Sequence, residues 1–167
     1  GVGYRAELAK GKGNYLCLLR YREELQSRGL FPEDDLVDRL REWVDHTKTG
    51  DRAELPFEPG ESWGMVCADD TCPGRKCQLN NDCFFVKARK RLQRAGIIVC
   101  NHALFFTDLN LRDSSNGAAA LLPEYRYLVL DEAQHIESIA RHTMSTEVSN
   151  MRLHVILNQL RKREGCH

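Results

Sequence analysis

The chain has 167 residues with equal numbers of acidic and basic side chains, and it is 42% hydrophobic and 29% charged. These values are typical of a soluble globular protein with one domain or two small ones. No apolar run is long enough for a transmembrane helix and no signal-peptide core is visible, so we expect a cytoplasmic protein with no membrane partner. In a reducing compartment, seven cysteines favour metal or redox chemistry over a disulfide framework.

The net charge of zero hides two oppositely charged segments. Residues 33–70 contain twelve acids and four bases, whereas residues 72–94 contain seven bases and one acid. A basic segment beside cysteines is typical of proteins that bind a polyanion, although charge runs are more often solvated helix faces. Composition alone leaves both interpretations open.

The first half of the chain is predicted to be mainly helical. Residues 14–28 are expected to form a helix, and residues 35–49 repeat apolar side chains at helical spacing. Residues 51–64 contain two prolines and two glycines, which indicates an irregular segment. A further helix is expected from Asp82, with Gly96 in the left-handed position after its end.

Two short apolar runs in the second half, residues 97–100 and 125–130, predict strands buried on both faces. The other expected elements are a short helix or turn at 101–109, a loop at 112–120, and helices at 132–141 and 151–163. Two strands do not form a sheet that is stable alone. The predicted fold class is therefore a mostly helical α+β fragment, whose strands belong to a parallel α/β sheet completed elsewhere.

Three cysteines lie close together in the sequence. Four residues separate Cys72 from Cys77 and five separate Cys77 from Cys83, and Cys17 lies 55 residues before Cys72. Zinc sites are usually built from pairs of more closely spaced cysteines. The wider spacing favours an iron–sulfur cluster, whose iron atoms are several ångströms apart. Zinc and unliganded thiols remain open, and Cys67 is spaced regularly enough to replace Cys17 as the fourth ligand.

Two adjacent carboxylates, Asp131 and Glu132, follow the second apolar run. In nucleotide-hydrolysing motors, an Asp in this position anchors Mg²⁺ and the following Glu orients the attacking water. Acidic residues are also common at helix N-termini, where the helix dipole favours them. The pair is therefore weak evidence when it is taken alone.

Four motifs in order between Lys10 and Glu137 together resemble the XPD/DinG family of superfamily 2 DNA helicases, especially its bacterial DinG-like branch. They are Lys-Gly-Lys-Gly-Asn-Tyr-Leu-Cys17, the cysteine run from Cys72 through Cys83-Phe-Phe to Ala88-Arg89, Ile-Ile-Val-Cys100-Asn-His-Ala-Leu, and Leu-Val-Leu-Asp131-Glu-Ala-Gln-His. The resemblance implies a [4Fe–4S] cluster in an insert of the first motor domain. It assigns the ligands as Cys17, Cys72, Cys77 and Cys83, which leaves Cys67 outside.

The resemblance also implies that Asp131 and Glu132 are the catalytic residues of a DEAH-type box that uses Mg²⁺ and ATP. Gln134 replaces the common histidine and is expected to couple the nucleotide and DNA sites. The domain organisation that follows is a cluster domain at 1–95 with an acidic insert at 32–66, part of a RecA-like motor domain at 96–142, and the start of an arch-like insertion at 143–167.

The implied parent protein is an ATP-dependent 5′-to-3′ DNA helicase of the kind used in DNA repair, whose partners are single-stranded or forked DNA and the rest of the helicase chain. The sequence contains no nucleotide-binding loop of the Gly-x₄-Gly-Lys-Ser/Thr type and no second motor domain. We therefore expect an internal fragment that does not hydrolyse ATP alone. No oligomer is implied.

DNA contact is predicted for the basic side chains around the cysteines, which are Lys12, Lys76, Lys87, Lys90, Arg91 and Arg94. Lys10 and Arg20 extend this set, Arg89 lies to its flank, and Tyr15 and Tyr21 are candidate stacking platforms for bases. Phe84 and Phe85 are expected in the core around the cluster. The alternative function is a non-enzymatic zinc-binding module for nucleic acid, and a third is a thiol redox sensor with low-pKa cysteines.

Overall fold

The computed structural model describes residues 3–27 and 36–144. About half of these residues are helical, and two short strands form a parallel sheet. The elements are β1 (Ala6–Leu8), α1 (Leu18–Ser27), α2 (Leu36–His46), α3 (Trp63–Val66), α4 (Phe84–Leu92), β2 (Ile97–Val99), α5 (His102–Ser114) and α6 (Ile136–Met144). The chain divides into two compact units, Gly1–Leu128 and Val129–His167. The helix predicted at 151–163 lies outside the described residues.

A hydrophobic core forms in the first unit between α1, α2, α3 and the start of α4. Leu16, Leu40 and Val66 have at most 1% of their surface exposed. Tyr15, Tyr21, Leu36, Trp63, Cys67, Phe84 and Ala88 complete the buried cluster. The core therefore joins segments that are distant in the sequence. It packs α1 against α2 and α3, and the Phe84 ring at the start of α4 lies beside Gly50.

A short 3₁₀ turn at Lys12–Asn14 is followed by extended backbone at Tyr15 and Leu16, so the helix predicted from residue 14 begins later, at Leu18. Tyr15 pairs with Asp51 and Leu16 with Cys67 in isolated antiparallel bridges. The Leu16 amide donates to the Gly50 carbonyl at 2.9 Å, and the Cys17 amide donates to the Val66 carbonyl at 2.8 Å. These long-range hydrogen bonds replace the ones that a first helical turn would make.

The sheet consists of β1 and β2, with Ala6 opposite Ile97 and Leu8 opposite Val99. The sequence did not predict β1. It did predict β2, but the expectation that this strand is buried on both faces is wrong, because Ile97 and Val99 are about half exposed. Parallel sheets normally have both faces covered. No described residue forms a third strand beside this pair.

The strand predicted at 125–130 is absent from the structure, and Tyr127 and Val129 are at least 90% exposed. The run has the apolar composition of a buried segment, but no described strand pairs with it.

Gly96 is also not the predicted left-handed residue. Its amide donates to the Arg5 carbonyl at 2.9 Å, and its φ is not positive. The end of α4 therefore leads directly into the sheet.

The remaining predicted helices are present with shifted ends. The helix expected at 35–49 is α2, and the one expected from Asp82 is α4. The short segment at 101–109 is the longer α5, which Asn101 caps by accepting a hydrogen bond from the Leu104 amide at 2.9 Å. Among the described residues, no helix is long and apolar enough to cross a membrane.

Candidate functional site

The four cysteines that the resemblance names, Cys17, Cys72, Cys77 and Cys83, line the same cavity, which has a volume of about 730 Å³. Cys17 lies immediately before α1, and Cys83 is the N-terminal capping position of α4. Cys72 and Cys77 lie on either side of a short 3₁₀ turn at Gly74–Lys76. The fold therefore brings Cys17 to the cavity that the three later cysteines line, as the resemblance predicts.

Short turns position the three later cysteines. The Cys77 amide donates to the Gly74 carbonyl at 3.1 Å, and the Cys83 amide donates to the Leu79 carbonyl at 2.9 Å. The Asn80 side-chain amide donates to the same Gly74 carbonyl at 3.1 Å, a normal hydrogen-bond distance. This segment is held by backbone turns, and every residue from Cys72 to Asp82 is exposed or only partly buried.

The thiols of the cavity interact electrostatically. Burial raises the pKa of Cys17, and the charges of Cys72 and Cys83 raise it further. Such an effect requires the three sulfur atoms to be near each other. A metal ion or cluster would reverse it, because a coordinated thiol is deprotonated.

Cys67 does not line this cavity. It is a buried member of the hydrophobic core, and its thiol faces the Gly64 carbonyl with 3.9 Å between sulfur and oxygen. Burial raises the pKa of the Cys67 thiol. The structure thus separates Cys67 from the four cysteines around the cavity, a distinction that spacing in the sequence left open.

The donor set and the cavity fit a group of several atoms. Among the described residues, no three His, Cys, Asp or Glu side chains converge closely enough to hold one metal ion. A [4Fe–4S] cluster takes one thiolate at each iron, so its four ligands surround a volume and do not meet at a point. The cavity is much larger than the roughly 30 Å³ that a water molecule occupies in the liquid.

The basic residues predicted to contact DNA differ in their surroundings. Lys12 pairs with Asp70 at 2.7 Å, Arg91 with Glu7 at 3.5 Å, and Lys87 with Asp82 at 4.0 Å. Lys10 and Arg20 are likewise paired, with Asp51 and Asp69. Lys76, Lys90 and Arg94 are exposed.

The aromatic residues near the cavity are core residues. Tyr15 and Tyr21 are 3% and 6% exposed, so the prediction that they are stacking platforms for bases is wrong. Phe84 is buried, as expected, and Phe85 lines the cavity. The sequence analysis placed Arg89 at the flank of the basic set, whereas in the structure it lines the cavity. Its helical spacing from Phe85 and Val86, which line the cavity too, is the signal that identifies this position.

The predicted carboxylate box lies in the second unit. Asp131 and Glu132 are exposed, and the Glu132 amide donates to the Asp131 carboxylate at 2.9 Å. Glu132 has a φ of 50°, a left-handed backbone conformation uncommon for a non-glycine residue. The Gln134 side-chain amide donates to the Glu132 carboxylate. The three residues therefore form a connected polar turn before α6.

Comparison with known proteins finds several bacterial helicases. The chain is 35% identical over 151 residues to the ATP-dependent DNA helicase YoaA of Escherichia coli K12, covering 87% of this chain and 23% of that protein. It is 30% identical over 164 residues to the ATP-dependent helicase DinG of Mycobacterium tuberculosis H37Ra, covering 87% of this chain and 24% of the relative.

A third relative is the 3′-5′ exonuclease DinG of Bacillus subtilis 168, 28% identical over 163 residues, which cover 93% of this chain and 16% of that protein. No known family profile matches the chain. The chain spans less than a quarter of the length of each of these three relatives. It is therefore homologous to a part of the bacterial YoaA and DinG helicases, as its motifs predicted.

Proposed function

We propose that this chain is the iron–sulfur portion of an ATP-dependent 5′-to-3′ DNA helicase of the XPD/DinG type, and that it also carries the Mg²⁺-binding box of the first motor domain. The observation that carries the proposal is the convergence of Cys17, Cys72, Cys77 and Cys83 on one cavity. The homology to YoaA and DinG helicases supplies the activity.

The cluster ligands would fasten segments that otherwise have few packing contacts. Cys72 and the turn after it are exposed, and the core reaches only the start of α1 and α4 on either side. When bound, the cluster supplies metal–sulfur bonds whose free energy adds to that of folding. The chain's own part is to present four thiolates and to hold α1 and α4 beside the basic turn.

DNA would be bound by the exposed cations around this turn and along α4. Lys76, Lys90 and Arg94 are exposed, whereas Lys12, Lys87 and Arg91 already have carboxylate partners. Contacts from such side chains to phosphates give affinity without reading the sequence. Single-stranded or forked DNA is the proposed ligand.

The carboxylate box would act on ATP together with the rest of the helicase. Asp131 would bind Mg²⁺ and Glu132 would orient the attacking water. The hydrogen bond from Gln134 to Glu132 offers a route by which DNA binding alters the position of that carboxylate. The nucleotide-binding loop and the second motor domain are proposed to come from the remainder of the parent protein.

Metal analysis tests the cluster. Protein purified without oxygen should be coloured and contain about four irons and four sulfides per chain. Cys77→Ser should lose this content, because it removes one of four ligands. One zinc per chain, no sulfide and no colour would instead identify the zinc-binding nucleic-acid module.

Salt-dependent binding of fluorescent single-stranded DNA tests the basic surface. Lys90→Gln and Arg94→Gln should each weaken binding and reduce the slope of log affinity against log salt by about 0.7, the value for one phosphate contact on a single strand. Arg41→Gln is the matched control, since Arg41 is an exposed cation on α2 and does not line the cavity. Equal slopes for the control and both test variants would contradict the proposed DNA surface.

A further inference from the structure

The cavity wall contains cations as well as thiols. Lys12, Arg75, Arg89 and Lys90 line the same space as the four cysteines. Arg75 and Lys90 are exposed, and Lys12 has Asp70 as a partner. Arg89 differs from Arg75 and Lys90 because it is partly buried, and from Lys12, which is also partly buried, because no carboxylate pairs with it in the described part of the chain. Its guanidinium carbon lies 5.7 Å from the centre of the Phe85 ring, and Phe85 lines the cavity too.

The guanidinium of Arg89 makes no hydrogen bond or ion pair with another residue in the described part of the chain, in contrast to Arg91 two positions later, which pairs with Glu7. Burial lowers the pKa of Arg89, and the charges of Asp108 and Tyr15 partly oppose this shift. An arginine nevertheless remains protonated in proteins. Asp108 is itself paired with Arg112 at 2.7 Å. A partly buried guanidinium that lacks a hydrogen-bonded partner of its own is therefore stabilised by an anion bound in the cavity.

The proposed cluster is such an anion. Four thiolates around a [4Fe–4S] core in its usual oxidised state leave a net charge of about −2. Arg89 lies on the cavity side of α4, and its guanidinium contacts the Phe85 ring. Both features hold the positive charge of Arg89 at the cavity wall. The neighbouring exposed cations are screened by solvent, so their charges act on the cavity more weakly.

We propose that Arg89 is a positioning residue that compensates the negative charge of the iron–sulfur cluster from the wall of the cysteine cavity. The inference rests on the proposed function, because it requires the cluster. Reduction adds one electron to the cluster and breaks no bond, so the negative charge beside Arg89 grows. A fixed cation therefore stabilises the reduced state more than the oxidised one and raises the reduction potential.

The test is a potentiometric titration of the cluster-containing protein with dithionite under anaerobic conditions. Arg89→Gln should shift the midpoint reduction potential of the cluster to a more negative value. At a fixed potential, the ratio of reduced to oxidised cluster should fall about tenfold, which corresponds to ~59 mV for a one-electron reduction. Arg89→Lys should stay close to the wild type because it keeps the charge. Arg22→Gln removes an exposed arginine on α1 that does not line the cavity, and it should leave the midpoint unchanged.

Iron and sulfide are measured in every sample first. Wild-type protein without iron would overturn the proposed function itself. An Arg89→Gln protein with full iron and the wild-type midpoint would overturn the role of Arg89 alone, and lost DNA affinity in that sample would identify Arg89 as a phosphate contact. If Arg89→Gln holds no iron, the Arg89→Lys variant provides the test. A cluster retained in Arg89→Lys at the wild-type midpoint would support charge compensation, whereas loss of the cluster from Arg89→Lys would refute it.

Discussion

Asp108 and Arg112 form an ion pair one turn apart in α5, with 2.7 Å between Oδ2 and Nε, although Asp108 has no exposed surface. The other oxygen of Asp108 accepts hydrogen bonds from the Leu121 and Leu122 amides at 2.6 and 2.8 Å. Arg112 in turn donates to the carbonyls of Leu122 and Pro123 at 2.6 and 3.2 Å. The pair therefore attaches residues 121–123, which follow the turn at 115–120, to α5.

Replacing Asp108 with Ala should strongly destabilise the first unit. The substitution leaves two backbone amides without their acceptor and the partly buried Arg112 guanidinium without its carboxylate partner. Breaking a buried pair from one side typically costs about 3–5 kcal/mol. Urea unfolding would measure the loss. Arg41→Ala is the control, because the Asp38–Arg41 pair in the same unit is exposed and should contribute under about 1 kcal/mol. Similar losses for the two variants would show that the buried network is not a stabilising element.

Gly50 should not tolerate a side chain. It has a φ of +63°, and a Cβ there would lie 2.3 Å from two ring atoms of Phe84. Gly60 has nearly the same φ, +61°, but a Cβ at that position meets nothing within 4 Å. Both Gly→Ala changes carry the left-handed backbone penalty of about 1–2 kcal/mol.

Only Gly50→Ala adds the clash with the core, so its unfolding free energy should fall by about 1–3 kcal/mol more than that of Gly60→Ala. Urea unfolding of the two variants, measured in parallel, isolates this difference. On the proposed function, iron content should also fall in Gly50→Ala, because Phe84 follows Cys83 directly. Equal stability of the two variants would mean that Phe84 moves aside without cost.

The sequence predicted α2, α4 and α5 because each carries its own signal in apolar spacing or a capping residue. It missed β1, a strand of three residues with a charged side chain at its centre, because that strand is specified by its partner β2 and by no local pattern. The apolar run at 125–130 was wrongly assigned for the converse reason. It has the composition of a strand, but pairing requires a neighbour that the described residues do not provide.

The sequence predicted that four cysteines lie together, but their spacing alone did not decide whether Cys17 or Cys67 is the fourth member of the group. The bridge between Leu16 and Cys67 supplies the physical reason for the choice. The bridge places Cys67 opposite Leu16 inside the hydrophobic core. Cys17 follows the bridge directly and lines the cavity.

This geometry predicts different effects for two cysteine substitutions. On the proposed function, Cys67→Ala should keep the iron and sulfide of the wild type, because its thiol lies in the core and not at the cavity. Cys72→Ala should lose them, because an exposed side chain contributes little to packing but its thiol lines the cavity. Iron and sulfide analysis after anaerobic purification measures both. Loss of iron from Cys67→Ala in a sample that unfolds like the wild type would instead make Cys67 a ligand.

Tyr15 predicts how stability responds to alkaline pH. It is almost fully buried beside Phe85, with ring centres 5.7 Å apart, and burial followed by the negative charge of Asp51 raises its pKa. The unfolded tyrosine titrates near pH 10. The stabilising contribution of the neutral phenol is therefore complete below about pH 10 and is lost as the pH rises through the higher pKa of the folded state.

Tyr15→Phe retains the aromatic ring but cannot ionise. The unfolding free energy of the wild type should consequently fall more steeply above about pH 10 than that of the variant, whereas near neutral pH the two should respond to pH in parallel. Urea unfolding of cluster-free protein at several pH values between about 8 and 11 measures the difference, and the absence of the cluster removes its own alkaline decay from the comparison. If the two profiles stayed parallel throughout, Tyr15 would have to reach solvent readily enough to ionise in the folded state, and its place in the core beside the cavity would have to be revised.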